Sequence, residues 1–132
     1  MIEEYIIYQG ERFTIEWYYD LNGKSIARDY FMELSFERKK KFDYLIRRMG
    51  DAGKIQNEEQ FKNEEDQIYA FKPKPDRFLC FFFIGSKIIV TNAFEKKAQK
   101  LPPQEKDRAL RYRKDYIQRV NGGAYYAKKK SK

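Results

Sequence analysis

The chain contains no histidine, one cysteine and four prolines among its 132 residues. Without histidine, both the commonest general acid–base group and the commonest metal ligand are missing, so any catalysis has to run on Lys, Arg, Tyr or carboxylate side chains. A lone cysteine excludes a disulfide framework and a cysteine-based zinc site. That residue, Cys80, lies within the apolar run 78–84 and reads as a small buried hydrophobe in a reducing compartment. The same run is the longest apolar stretch, far below the roughly 20 residues that cross a bilayer. The first residues, MIEEYIIYQGERF, carry acids where a secretory signal needs basic residues. A cytoplasmic location without a membrane partner is therefore expected.

Acids are also scarce where cations are dense. From Lys72 onward there are 17 Lys or Arg against 5 Asp or Glu, a net +12, whereas residues 1–71 hold 11 against 15, a net −4. The whole positive excess thus sits in the second half. Each lysine or arginine that meets a phosphate releases condensed counterion, so this polarity points to a polyanionic partner such as nucleic acid. The length fits one domain able to bury its own core. An aromatic content of 17%, with 11 Phe and 11 Tyr, argues for a folded, aromatic-rich interior.

Period-two alternation of Phe13, Ile15 and Trp17 against Thr14, Glu16 and Tyr18 predicts a first core strand. Residues 1–11 are left as an N-terminal extension. Ser25 is placed to cap a short helix bearing Ile26, Tyr30 and Leu34. Ser35 caps a second helix, in which Phe42, Leu45, Ile46 and Met49 repeat at three and four before Gly50 and Gly53 stop it. Arg38 to Lys41 and Arg47 to Arg48 read as the solvated face of this hairpin. The acidic stretch 56–67 reads as a loop. IYAFK begins a strand, FLCFFFI has the unbroken apolar pattern of a strand covered on both faces, and Gly85-Ser86 turn it into KIIVTNA. About four strands are expected in all. Helical period returns over 104–120, with Ala109, Tyr112, Tyr116 and Val120 on one face and Arg108, Arg111 and Lys114 on another. Residues 121–132 read as a frayed basic tail, which leaves a domain of residues 12–120.

Strand, helical hairpin, acidic loop, three strands and a basic helix, with Phe94, Lys96, Lys97, Lys100 and Pro102 in the spacing F-x-K-K-x-x-K-x-P, resemble the RelE/HigB family of bacterial toxins. The likeness spans roughly residues 12–119 and is nearest to the phage-derived HigB-like branch. It implies an α+β, RelE/ParE-like fold: an N-terminal strand, a helical hairpin, three further antiparallel strands and a C-terminal helix, with the helices on one face of the sheet. The activity implied is that of a type II toxin–antitoxin toxin, an mRNA interferase that cuts messenger RNA on the ribosome, inhibits translation and is held by an antitoxin of helix-turn-helix type. No cofactor or metal is implied. Carried onto this chain, the RNA-contacting cations are Lys72 and Lys74 beside one strand, Arg77 at the start of the next, and Lys96 with Lys97 after the last. Where most relatives show an acidic–basic pair, this chain reads Ala70-Phe71-Lys72, and Pro73 and Pro75 bracket Lys74.

Metal-independent RNA cleavage needs an activated 2′-hydroxyl, stabilisation of the phosphorane and a proton for the leaving 5′-oxygen. Clustered cations supply the second directly. Arg77 and Lys96 are the candidate phosphate clamps, and Lys72 or Lys74, its pKa lowered by neighbouring cations, is the candidate proton-transfer group. Lys97, Lys100, Arg108 and Arg111 are candidates for the RNA backbone, and Tyr69 and Tyr112 for base stacking or proton transfer. Glu95 reads as a salt-bridge partner rather than a base. Two competing functions use the same fold: a ParE-like gyrase poison without a nuclease centre, and a noncatalytic RNA-binding module.

Overall fold

The structure, a computed structural model, describes residues 5–126. Among them the chain runs β1 (Ile6–Gln9), β2 (Thr14–Trp17), α1 (Ile26–Met32), α2 (Phe36–Ala52), β3 (Phe61–Asn63), β4 (Tyr69–Phe71), β5 (Asp76–Phe83), β6 (Lys87–Glu95) and α3 (Pro103–Asn121). The fold is α+β, with the helical hairpin and the C-terminal helix expected from the sequence. Six strands form one mixed sheet in the order β1-β2-β6-β5-β4-β3. Both caps of the hairpin are made as the sequence predicts: Ser25 accepts from the Arg28 amide and Ser35 from the Arg38 amide. Among the described residues, no helix is long and apolar enough to cross a membrane.

The sheet departs from the expected one in strand number, pairing and cover. β1 lies where an extension was expected and pairs antiparallel with β2. β3 forms within the acidic stretch read as a loop and pairs antiparallel with β4. The interior pair β2 and β6 is parallel rather than antiparallel. Helices also lie on both faces. Trp17, Phe42, Ile46, Phe78, Cys80 and Val90 bury between the sheet and the hairpin, whereas Leu79, Phe81, Ile89, Ala109 and Tyr116 bury between the sheet and α3. That two-sided cover is the physical reason for the unbroken apolar pattern of β5, in which Phe78 to Phe81 are all fully buried.

Gly53 ends α2 in the left-handed region, at φ 82°, but Gly50 lies inside the helix and does not stop it. Its role is close approach. The Gly50 carbonyl accepts from the Arg12 and Phe13 amides at 2.7 and 3.0 Å, and a Cβ built on Gly10 would stand 2.3 Å from the Gly50 carbonyl carbon. The β1–β2 turn is thereby seated on the end of α2. Gly10→Ala is expected to destabilise the protein by about 2 kcal/mol or more, because backbone rather than a yielding side chain must move. Thermal denaturation checks this, and an unchanged midpoint would refute the packing.

The stretch beyond α3 is not frayed in its described part. Tyr125 is 1% exposed, its hydroxyl accepts from the Tyr19 amide at 2.9 Å, and the Tyr126 hydroxyl donates to Glu16 at 2.6 Å. Large aromatic area and satisfied hydroxyls hold this segment on the sheet. The lysine-rich residues 127–132 lie outside the described residues.

Candidate polyanion-binding cleft

Side chains of a strand alternate between its two faces. Along β4, Phe71 packs toward the helical hairpin and Ala70 toward α3, which places Lys72, one residue past the strand, on the α3 side. Lys72 still continues the ladder, its amide donating to the Gln60 carbonyl at 2.8 Å. Along β5, Phe78 faces the hairpin and Leu79 faces α3, so Arg77 falls on the same side as Lys72. β6 needs a correction to reach that side. The register slips between the Leu79–Asn92 and Cys80–Val90 pairs, leaving Thr91 as an extra residue whose hydroxyl donates to the Leu79 carbonyl at 3.2 Å. Val90 faces the hairpin, yet Phe94 packs toward α3, a parity that only the bulge permits.

These residues line a cleft of about 250 Å³ made by Lys62, Glu64, Lys72, Arg77, Phe94 and the 96–102 loop with Lys96, Lys97 and Lys100. Six cations therefore meet one carboxylate. Among the described residues none of the six makes an ion pair. Lys72 donates to the Glu58 carbonyl at 2.7 Å. Arg77 is only 8% exposed and has a single long contact, to the Asp76 carbonyl at 3.5 Å. Burial lowers the Arg77 pKa below its ordinary value. The Lys72 ammonium is also held below the ordinary lysine range, first by burial and then by the Arg77 and Lys62 charges. Glu64 and Glu59 offset the burial of Arg77 only from a distance, and a buried cation without an ion pair is an unfavourable arrangement that an incoming anion relieves.

Five of the ten site candidates meet in this cleft: Lys72, Arg77, Lys96, Lys97 and Lys100. Lys74 lies outside it, paired with Glu59 at 2.9 Å, because the Pro73–Pro75 loop carries it toward α2. Arg108 pairs with Glu105 on α3 at 3.3 Å, and Arg111 is exposed on the same helix. Tyr69 stacks on Phe61 on the opposite face of the sheet. Tyr112 stacks on Tyr18 with ring centroids 4.5 Å apart. Both rings are thus packed in cores rather than lining the cleft. Lys62 and Glu64 are contributors that the sequence did not single out. No local pattern marks them, because FKNE offers a single apolar residue, Phe61, inside the acidic run that made the segment look like a loop.

Two polar networks hold the cleft in register. Behind Arg77, Asp76 is fully buried and accepts from Arg38 Nε at 3.0 Å, from Arg38 Nη2 and from the Tyr30 hydroxyl. Arg38 also reaches Glu95 at 3.7 Å, so this partly exposed arginine is turned onto the buried Asp76 rather than left free on the solvated face expected for it, while Glu95 is a salt-bridge partner. The second network anchors the loop of lysines. Asn92, fully buried, donates to Glu105 Oε1 at 2.9 Å and to the Glu105 carbonyl at 3.1 Å, tying β6 to the first turn of α3. Lys96 is set by its amide, which donates to the Pro75 carbonyl at 2.8 Å.

No curated protein sequence matches the chain. A family model described as phage-derived protein Gp49-like matches residues 29–114. That span covers α2, the strands β3 to β6 and the lysine loop, together with most of α3. The chain belongs to the Gp49-like family of phage-derived proteins, a family of RelE/HigB-like toxin type.

Proposed function

We propose that the protein is the toxin of a type II toxin–antitoxin system of the HigB-like branch, and that it cleaves messenger RNA on the ribosome without a metal ion. The observation that carries this is Arg77, a nearly buried cation that makes no ion pair among the described residues, at the wall of a cleft with five further cations. In the proposed chemistry the 2′-oxygen attacks the adjacent phosphorus, the P–O5′ bond breaks, and a 2′,3′-cyclic phosphate and a 5′-hydroxyl result. Arg77 and Lys96 hold the non-bridging oxygens as charge gathers on them, which is the largest contribution a preorganised site makes. Lys72, rather than Lys74, delivers a proton to the leaving oxygen, since its lowered pKa eases proton release. Glu64, the one carboxylate of the cleft, takes the proton of the 2′-hydroxyl. Lys62, Lys97 and Lys100 hold the flanking phosphates. The partner that restrains the activity is a cognate antitoxin.

Induced expression of the wild type and of a Lys72→Ala, Arg77→Ala, Lys96→Ala variant in bacteria, followed by primer extension on abundant transcripts, tests the proposal. Discrete cuts are expected with the wild type alone. Growth arrest by both proteins with intact transcripts would eliminate the nuclease and redirect the search to gyrase or another protein target. Binding without cuts would leave a noncatalytic RNA-binding module.

A further inference from the structure

A second hollow, of about 510 Å³, runs between α2 and the β3–β4 side of the sheet and is lined by Lys40, Lys41, Tyr44, Asn57, Lys72 and Lys74 among others. Lys72 is common to this groove and the cleft. Farther along α2 lies a third hollow, lined by Lys40, Tyr44, Arg47 and Arg48 with Asp43 and Asp51. Lys40 and Tyr44 are common to it and the groove. The three hollows therefore form one path, with Lys72 at the first junction and Tyr44 at the second.

Most acids on this path already have partners: Glu59 pairs with Lys74, Asp43 with Arg47, and Asp51 accepts from the Tyr8 hydroxyl and the Glu11 amide, which leaves Glu37 at the groove's edge as the acid without an ion pair among the described residues. Lys40, Lys41 and Arg48 make no ion pair among the described residues. Tyr44 is 54% exposed and Phe36 is 71% exposed, unusual for rings on a helix surface. Each ring has a cation one turn on, Lys40 at 5.4 Å from the Phe36 centroid and Arg48 at 5.8 Å from that of Tyr44, and Arg48 Nη1 donates to the Tyr44 hydroxyl at 3.2 Å. The exposed stripe thus reads Phe36, Lys40, Tyr44, Arg48 at four-residue steps.

We infer that this path is a second subsite for the substrate: single-stranded RNA leaving the cleft crosses Lys72 into the groove, with its backbone on Lys40 and Lys41 and one base stacked on Tyr44. The inference rests on the cleft being the RNA site. Alternating rings and cations suit a strand that presents a base and a phosphate in every nucleotide. They do not suit an amphipathic peptide helix, which would need a continuous apolar stripe that the intervening cations interrupt.

Fluorescence anisotropy with labelled 2′-O-methyl oligoribonucleotides of about 4 and about 12 nucleotides, lengths that bracket a single-strand site, tests this, since such strands resist cleavage. The wild type is expected to bind the longer strand more tightly. Tyr44→Ala should lower affinity for the longer strand about fivefold or more and leave the shorter one unchanged, whereas Tyr44→Phe retains the advantage. Lys40→Glu with Lys41→Glu should flatten the salt dependence of the longer strand alone. Arg77→Ala should weaken both lengths. If Arg77→Ala has no effect while Tyr44→Ala does, the cleft reading fails and the groove alone binds RNA. If Arg77→Ala weakens binding but Tyr44→Ala does not, the inference falls and the cleft stands. Loss of binding to an acidic amphipathic peptide, with RNA unaffected by Tyr44→Ala, would make the groove a protein-docking site and overturn the inference. A wild type that binds neither strand overturns both.

Discussion

Arg77→Ala is expected to lower transcript cleavage by about 10²–10³-fold, the loss that follows removal of one preorganised donor to a developing oxyanion, while leaving the fold intact. The two effects separate because of where Arg77 sits. At 8% exposure, its guanidinium has lost water without gaining an ion pair among the described residues, the Glu64 and Glu59 charges acting on it only from beyond contact. Deleting a structural arginine breaks a salt bridge; deleting this one removes an unrequited buried charge. The melting temperature of Arg77→Ala should therefore hold or rise. Arg77→Lys should recover only part of the activity, since an ammonium cannot grip two phosphate oxygens in the planar fork of a guanidinium. Cleavage measured on purified ribosomes programmed with a defined message, beside a thermal melt, decides the matter. A marked fall in melting temperature, tracking the loss of cleavage, would show that Arg77 acts as scaffold and not as a phosphate clamp.

Asp76→Ala should have the opposite profile: a stability loss of about 2–4 kcal/mol, the scale on which breaking a buried ion pair acts, reduced because Arg38 retains some access to water. Asp76 is fully buried and accepts three hydrogen bonds, two from Arg38 and one from Tyr30. Its removal leaves the Tyr30 hydroxyl without an acceptor and empties a packed site. The clasp joins α1, α2 and the start of β5, where Asp76 faces Glu95 across the ladder and Arg77 faces Phe94. Amide exchange at the start of β5 and the end of β6 should consequently accelerate more than exchange around Phe81. Urea denaturation gives the magnitude, and the double variant Asp76→Ala, Arg38→Ala should lose little beyond the single one, because the residues act as a pair. A loss below about 1 kcal/mol, or full additivity, would rule out the clasp.

Much of the architecture was legible because it depends on local signals. Serine caps at 25 and 35, the glycine stop at 53 and the Gly85-Ser86 turn, both residues of which have positive φ, are choices each segment makes nearly alone. Short edge strands are different. Residues 6–9, IIYQ, are too short a run to announce a strand and residues 61–63 carry one apolar position, and both become strands through the ladder offered by a neighbour. Gly50 misled for a related reason. In sequence a glycine near a helix end reads as a terminator, but here it makes room for the Tyr8 ring, which a Cβ would approach to 2.7 Å.

The candidate site divides in the same way. Sequence by itself determined that the chemistry has no histidine to use, that the cations crowd the second half, and that Lys72, Arg77 and the lysines from 96 to 100 flank strand ends, since composition and alternation are written along the chain. Which of them share a face was decided by tertiary structure. The bulge at Thr91 shifts β6 by one residue and sends Phe94 to the α3 side, and the Lys74–Glu59 pair turns Lys74 away. β3 adds Lys62 and Glu64 from a segment that had read as loop. Charge count is a property of the chain, but a site requires side chains from distant segments on one surface, and their parity depends on register, which is set only when strands pair.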